Sequence, residues 1–325
     1  MIIKDKIWGR WEIKEEVLEE LIFSPSLKRL DKIAQYGMKY NLYPLPGFTR
    51  YEHSIGVMLI LRKLDAPIQE QISGLLHDVS HTAFSHLIDW VLGDRSKEDY
   101  QDNRHEEHVR NSEIPKILEK HHFNLEDTIR YDKYSLIERE APHLCADRLD
   151  YGIREFFYWA APDCVKTLSE SLINKDGRIV FSSKNNAEIF AYNYMKLQRE
   201  HWGGAEWTLR WQLFSDALKI ALEKSIISLD DFSKYDDYII EKLKKSGDRK
   251  IIETINRLSG KLNFEIIEDD QISAQYHLQK KFRYTDPEYI ENGSVKRLTD
   301  ESEEYRKFLG EQLRLNKKGI FLNLL

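Results

Sequence analysis

Apolar residues in the first 260 positions recur mostly at helical spacing. Val17, Leu18, Leu21 and Ile22 share one face over 14–23, and Leu27, Leu30, Ile33 and Ala34 share one over 26–36. Ser24-Pro25-Ser26 stops the first helix and restarts the second. A helix is expected from Arg50 to Leu64. The next is capped by Asp65, carries Pro67 in its first turn and presents Ile72, Leu75, Leu76 and Val79. Further helices are expected over about 105–121, 134–138, 141–159, 163–170, 186–202, 206–226 and 236–246. Two stretches depart from this period. Residues 1–13 alternate through Ile2, Ile3, Ile7, Trp8 and Trp11 and predict a strand or hairpin. Gly177-Arg178-Ile179-Val180-Phe181, after Asn174-Lys175-Asp176, predicts another. Tyr43-Pro44-Leu45-Pro46-Gly47 and the polar residues 93–104 read as loops.

From about residue 262 the texture changes. Phe264-Glu265-Ile266-Ile267 and residues 275–284 alternate, Pro287 and Gly293 punctuate, and a helix is expected near 301–314. The pattern therefore predicts a mainly α chain. One domain covers 1–260, and a small α+β appendage covers 261–325.

Composition narrows the function classes. The 325 residues are 41 % hydrophobic, enough for a sizeable core. The net charge of −6 means that an anion is held only by a local basic pocket or a metal. Two cysteines, Cys145 and Cys164, imply neither a disulfide framework nor a zinc knuckle, and point to a reducing, cytoplasmic setting. The start, Met1 to Lys6, is charged at once and does not read as a signal peptide. No apolar run approaches the roughly 18 residues of a membrane span.

Histidine changes the picture most. His53, His77, His81, His86, His105 and His108 cluster in the first third of the chain. A lone histidine is usually a core or surface residue. These have telling neighbours. His77-Asp78 sits in an apolar helical stretch, where an unsatisfied imidazole and carboxylate would be costly. A divalent metal satisfies both. His77 and His81 share a helix face, but adjacent residues do not, so one ion needs further donors from other helices. His53 comes from the preceding helix. Asp147 comes from a later one, in Leu144-Cys145-Ala146-Asp147-Arg148-Leu149.

Three segments then carry a resemblance. Thr49-Arg50-Tyr51-Glu52-His53-Ser54-Ile55-Gly56-Val57, Gly74-Leu75-Leu76-His77-Asp78-Val79-Ser80-His81 and Ala146-Asp147-Arg148-Leu149-Asp150-Tyr151 resemble the H…HD…D signature of the HD-domain phosphohydrolases. The similarity is closest to the branch of deoxynucleoside triphosphate triphosphohydrolases that includes the animal SAM-and-HD-domain enzyme, and it covers about residues 1–225. The resemblance implies an HD-domain helical bundle and a nucleotide phosphohydrolase. Its expected reaction converts a (deoxy)nucleoside triphosphate to nucleoside and triphosphate. It implies that His53, His77, Asp78 and Asp147 hold one divalent transition metal, Fe, Mn, Zn or Ni, with Mg as a further ion on the substrate phosphates.

By the same resemblance, His105 and Glu106 form a catalytic pair beside Asp78. His105 would protonate the leaving oxygen, and Glu106 would hold its tautomer. A solvated helix start is the competing reading, and His108 the competing histidine. Arg50 and Arg148 match phosphate contacts, against surface ion pairs. His81 supports the ligands or faces phosphate, and His86 caps local structure. Gln35-Tyr36, Tyr151 and Glu155 take the sugar-recognition positions, with Glu155 one methylene longer than the branch's Asp. Tyr192, Tyr194, Arg199 and His201 lie where further contacts occur. Phe23, Lys28 and Asp31 do not reproduce a guanine-reading set, so nucleotide activation is not expected. A homo-oligomer is implied.

Two alternatives stay open. One is a nucleoside monophosphatase or phosphodiesterase with the same metal site. The other is a regulatory or nucleic-acid-binding HD protein, for which Lys280-Lys281-Phe282-Arg283-Tyr284 and Arg314-Leu315-Asn316-Lys317-Lys318 are the modest basic patches to watch.

Overall fold

The computed structural model describes all residues except 40, 44, 94 and 268–272. Pro44 of the expected loop at 43–47 and Asp94 of the polar loop lie outside the described residues. The chain opens with an antiparallel hairpin, β1 (Ile2–Asp5) and β2 (Gly9–Glu12), in the register Ile3↔Trp11. Asp5 Oδ1 accepts the Ile7 and Trp8 amides and fixes its turn. α1 (Glu16–Phe23) buries the expected Val17, Leu18, Leu21 and Ile22. Ser24 caps α2 (Pro25–Arg29). That helix stops short of residue 36. A 3₁₀ turn carries it to Lys32, and Ala34 bridges Thr49 instead.

α3 (Arg50–Lys63) starts on a capping box, in which Thr49 Oγ1 accepts the Glu52 amide and Glu52 accepts the Thr49 amide. The next helix, α4 (Ile68–Leu76), is not capped by Asp65. Pro67 holds the cap position, and Asp65 takes a left-handed backbone (φ 56°) in the turn before it. α4 also ends earlier than the apolar stripe implies. His77, Asp78 and Val79 lie beyond its last turn. The chain there tightens: the Val79 amide donates to Leu76 O, and the His81 amide to Asp78 O. Arg29 Nη2 donates to the freed carbonyls of Val79 and His81.

α5 (Leu87–Val91), α6 (Asp102–Arg110), α7 (Ile114–Lys120) and α8 (Leu125–Ile129) follow. The single helix expected over 105–121 is two, because Pro115 cannot continue a helix and suits a first turn. Residues 134–138 are not helical. The carbonyls of Leu136 and Ile137 accept the Ala146 and Asp147 amides, which pins them to the start of α9 (Ala146–Glu155). α9 runs into a wider π turn over 156–160. Then come α10 (Val165–Glu170), the hairpin β3 (Leu172–Lys175) and β4 (Arg178–Phe181), α11 (Lys184–Leu197), α12 (Ala205–Glu223) and α13 (Asp236–Lys245). α14 (Arg249–Leu258), which the sequence reading did not include, buries Ile251, Ile255 and Leu258.

The remaining elements are β5 (Phe264–Ile266), β6 (Tyr276–Leu278), β7 (Glu288–Glu291), β8 (Ser294–Arg297), α15 (Leu298–Glu301), α16 (Glu303–Lys318) and β9 (Ile320–Leu324). β9 lies between β5 and β6, antiparallel to both. β7 runs parallel to β4, so the sheet order is β3-β4-β7-β8. Tyr305 and Leu309 of α16 join the main core. The fold is a mainly helical bundle with an N-terminal hairpin and C-terminal strands. Among the described residues, no helix is long and apolar enough to cross a membrane.

Two glycines decide how closely the site-bearing helices approach. A Cβ on Gly74 would lie 2.3 Å from Leu61 Cδ1, so α4 sits directly on α3. A Cβ on Gly56 would lie 1.9 Å from Asp150 Oδ1, so α9 sits equally close on another side of α3. His53, His77 and Asp147 meet because of these contacts.

Candidate active site

α3 supplies His53, the turn after α4 supplies His77 and Asp78, and the first turn of α9 supplies Asp147. His53 Nε2 lies 3.0 Å from Asp147 Oδ1 and 3.6 Å from Asp78 Oδ2. His77 Nε2 lies 3.4 Å from Asp78 Oδ1 and 3.6 Å from Asp147 Oδ1. His53, His77 and Asp147 offer ligand atoms all within 4.8 Å of one another. Asp78 borders them, with its Oδ2 held 2.6 Å from Arg50 Nη1. The early end of α4 is what lets neighbours 77 and 78 converge, since within a helix they would diverge.

The tautomers explain what the cluster wants. His53 Nδ1 donates to Asp150 Oδ2 (2.8 Å), and His77 Nδ1 donates to Gly74 O (2.8 Å). Each ring therefore presents its Nε2 lone pair to carboxylates. His77 Nε2 is buried and has no hydrogen-bond partner among the described residues. Converging lone pairs require a cation or protons between them. Burial disfavours charge on His77, but Asp78 and Asp147 outweigh it and push its pKa up to about 9. His53 is also raised, against its burial, by Asp147 and Asp150. A divalent metal would replace those protons, and a mixed imidazole and carboxylate set fits one.

Asp150 is a partner that the sequence reading passed over. It is fully buried, accepts from Arg154 Nε (3.0 Å) and Nη2 (2.8 Å), and accepts from Trp8 Nε1 (2.5 Å). Arg154 continues to Asp5 Oδ2 at 3.0 Å. The N-terminal hairpin thus helps aim His53. The i,i+3 spacing of Asp147 and Asp150 on one helix was the available signal.

The remaining expected residues fall into three groups. Arg50, Asp78, His81, Arg148, Gln35, Tyr36, Tyr151 and Glu155 line one open cleft of about 240 Å³, together with His77 and Asp147. His201 sits behind that wall. Its Nδ1 donates to Glu155 Oε2 (2.8 Å), and its ring stacks on Tyr43. Glu155 Oε1 also accepts from Trp202 Nε1 (2.7 Å). His105 is buried outside the cleft. Ser80 gives its proton to Gln101, so His105 Nδ1 donates to Ser80 Oγ at 3.1 Å, and its ring meets the Tyr131 edge. Burial, with a push from His77, lowers its pKa to about 3.

Glu106 does not meet His105. It turns to solvent and pairs with Arg110 one helical turn on. Adjacent residues of α6 face apart, which corrects the expected contact. His108 is half-buried and pushed down to about 4, chiefly by burial. His86 is not merely a cap. Its ring lies edge-on to His81 (4.9 Å) and lines the cleft, and burial holds its pKa well down. His81 donates from Nε2 toward Asp78 Oδ1 (3.3 Å) and leaves a buried Nδ1 without a partner among the described residues. Burial and Arg50 push its pKa down to about 4.

The chain is similar to several known proteins. The HD domain family model matches residues 50–151. The Bacillus subtilis protein YdhJ, uncharacterised, is 36 % identical over 328 residues, covering 100 % of this chain and 99 % of its own. The Cordyceps militaris metal-dependent phosphohydrolase cns2 is 36 % identical over 172 residues, 52 % of this chain and 50 % of its own. Human deoxynucleoside triphosphate triphosphohydrolase SAMHD1 is 33 % identical over 103 residues, which is 27 % of this chain and 16 % of that enzyme. A solved phosphohydrolase from Bacteroides thetaiotaomicron shares the fold across 100 % of this chain and 99 % of its own, with a TM-score of 0.74 at 19 % identity. Motif order, converging donors and full-length kinship agree: the chain belongs to the HD-domain metal-dependent phosphohydrolases.

Proposed function

We propose that this chain hydrolyses a (deoxy)nucleoside triphosphate to nucleoside and triphosphate, using one divalent transition metal held by His53, His77, Asp78 and Asp147. The observation that carries this reading is the pair of imidazole Nε2 lone pairs aimed at two carboxylates, with His77 Nε2 unpartnered. When bound, such an ion polarises a phosphoryl oxygen and makes a water nucleophilic near neutral pH. Asp150 holds the His53 ring in place. Arg50 donates to Asp78 and Ser85 and keeps that carboxylate ionised and aimed. His81 is neutral and keeps Nδ1 free to take up a proton in the cleft. His81 would thus act as a proton acceptor in the cleft, a role distinct from the proton donor expected of His105. His105 instead supports the wall through Ser80 and Gln101.

The nucleoside would lie toward Gln35, Tyr36, Tyr151 and Glu155. A second reading, hydrolysis of a simpler phosphate ester, draws on Glu155. Each of its oxygens already accepts a hydrogen bond, from His201 and Trp202, which reduces its capacity for a sugar hydroxyl. Product analysis separates the two. Each dNTP, NTP and nucleoside monophosphate is incubated with Mn²⁺ and the products are resolved by chromatography. Tripolyphosphate with nucleoside supports the first reading. Orthophosphate from monophosphates moves the function to the second, and turnover of none of them overturns both.

A further inference from the structure

The stretch joining β6 to β7 has no regular structure, yet it forms part of the cleft wall. Lys280, Lys281 and Arg283 all line the same cleft as His77, Asp78 and Asp147. These residues lie outside the segment that the HD domain matches.

Their donors are only partly spent, in contrast with the arginines of the bundle. Arg50 donates to Asp78 and Ser85. Arg148 donates to the carbonyls of Arg139 and His143 and to Cys145 Sγ. Lys280 is buried, and its Nζ lies over the Trp211 ring at 3.3 Å from the centroid. An indole face attracts a cation but accepts no ordinary hydrogen bond. No described residue accepts one from Lys280 Nζ. Arg283 gives Nη2 to Glu98, while its buried Nη1 has no partner among the described residues. Among the described residues, Lys281 Nζ donates to the Lys97 carbonyl alone, at 2.9 Å. Burial pushes the Lys280 pKa down to about 7, so an anion in the cleft would gain by holding the proton on Lys280 and by meeting the open Nη1 of Arg283.

We infer that Lys280, Lys281 and Arg283 bind the distal phosphates of a polyphosphate substrate whose ester end lies at the His53–His77–Asp147 cluster. The C-terminal stretch then selects polyphosphate over monophosphate, with Glu98 as the carboxylate that positions Arg283. This inference rests on the phosphohydrolase reading of the site, and it deepens it.

The test reads binding rather than turnover. The full-length protein, as purified, is titrated calorimetrically with inorganic tripolyphosphate and, separately, orthophosphate. Lys281→Ala and Arg283→Gln are titrated alongside, and circular dichroism confirms their fold. Lys281 is exposed, so its variant guards against a folding artefact. Tripolyphosphate should bind wild type more tightly than orthophosphate. Each variant should weaken tripolyphosphate binding about tenfold, the scale of one charge-assisted hydrogen bond. Equal affinity for the two anions, or unchanged tripolyphosphate binding in folded variants, overturns the inference. Tight tripolyphosphate binding with no nucleotide turnover would leave it standing and sink the nucleotide reaction instead.

Discussion

The two ends of the cleft are built by opposite means. At the metal end, each donor sits on or beside a helix, His53, His77 and Asp78 are each aimed by a further residue, and two glycine contacts set the spacing of the helices. At the other end, cations ride on an irregular stretch, and one of them, Lys280, rests on indole rings. The first end is rigid because its lone pairs must converge within a few ångströms. The second tolerates looser placement, because a phosphate chain meets a point charge from many directions. Rigidity is invested where geometry sets the chemistry.

Breaking the rigid end should cost most. Asp147→Ala removes the carboxylate shared by both histidines and should cut turnover by about 10³-fold or more, measured by nucleoside and tripolyphosphate release. Asp150→Asn leaves every proposed ligand in place but loosens His53. It should weaken metal affinity about 10–100-fold, read by competition with a fluorescent chelator. Unchanged affinity would show that the α9–hairpin network is only structural. Gly56→Ala should cost about 1–3 kcal/mol or more in chemical denaturation, because its methyl would strike Asp150 and Arg154.

Metal affinity should also follow pH. The metal-free protein keeps a proton on His77 up to about 9, since Asp78 and Asp147 outweigh its burial. A metal must displace that proton. Affinity should therefore rise with pH, by about tenfold per unit for one proton, and level off above about 9. A flat profile below that would contradict the cation-seeking cluster. The smallest effect is expected at Glu106→Ala. Its side chain faces solvent, so stability should stay within about 0.5 kcal/mol and turnover should barely change. A large loss of turnover would restore the His105–Glu106 pair.

The contrast also explains what the sequence made legible. His53, His77, Asp78 and Asp147 stood in short motifs of apolar helix, where a charged residue needs a reason. Gly56 and Gly74 lay in the same motifs, but the contacts that require them join residues distant in the chain. Helical spacing located most of the bundle and missed what backbone competition decides. Residues 134–138 gave their carbonyls to α9, and Pro115 split one expected helix in two. Glu106 was placed by neighbourhood in the sequence, although α6 turns neighbours apart. Lys280 and Arg283 read as a surface patch because nothing local tells that Trp211 and Glu98 lie beneath them. Local motif carries the chemistry that one helix or its adjoining turn presents, and long-range packing carries the rest.

The central claim is that His53, His77, Asp78 and Asp147 hold one metal ion. Its most direct test is elemental analysis of the protein purified without chelator, with Asp147→Ala prepared in parallel and its fold checked by circular dichroism. The account predicts about one transition-metal ion per wild-type chain and almost none in the folded variant, by the four-ligand logic of such sites. A metal-free wild type that takes up none on addition of Mn²⁺, Fe²⁺, Zn²⁺ or Ni²⁺ would contradict it, as would a variant that retains the full complement.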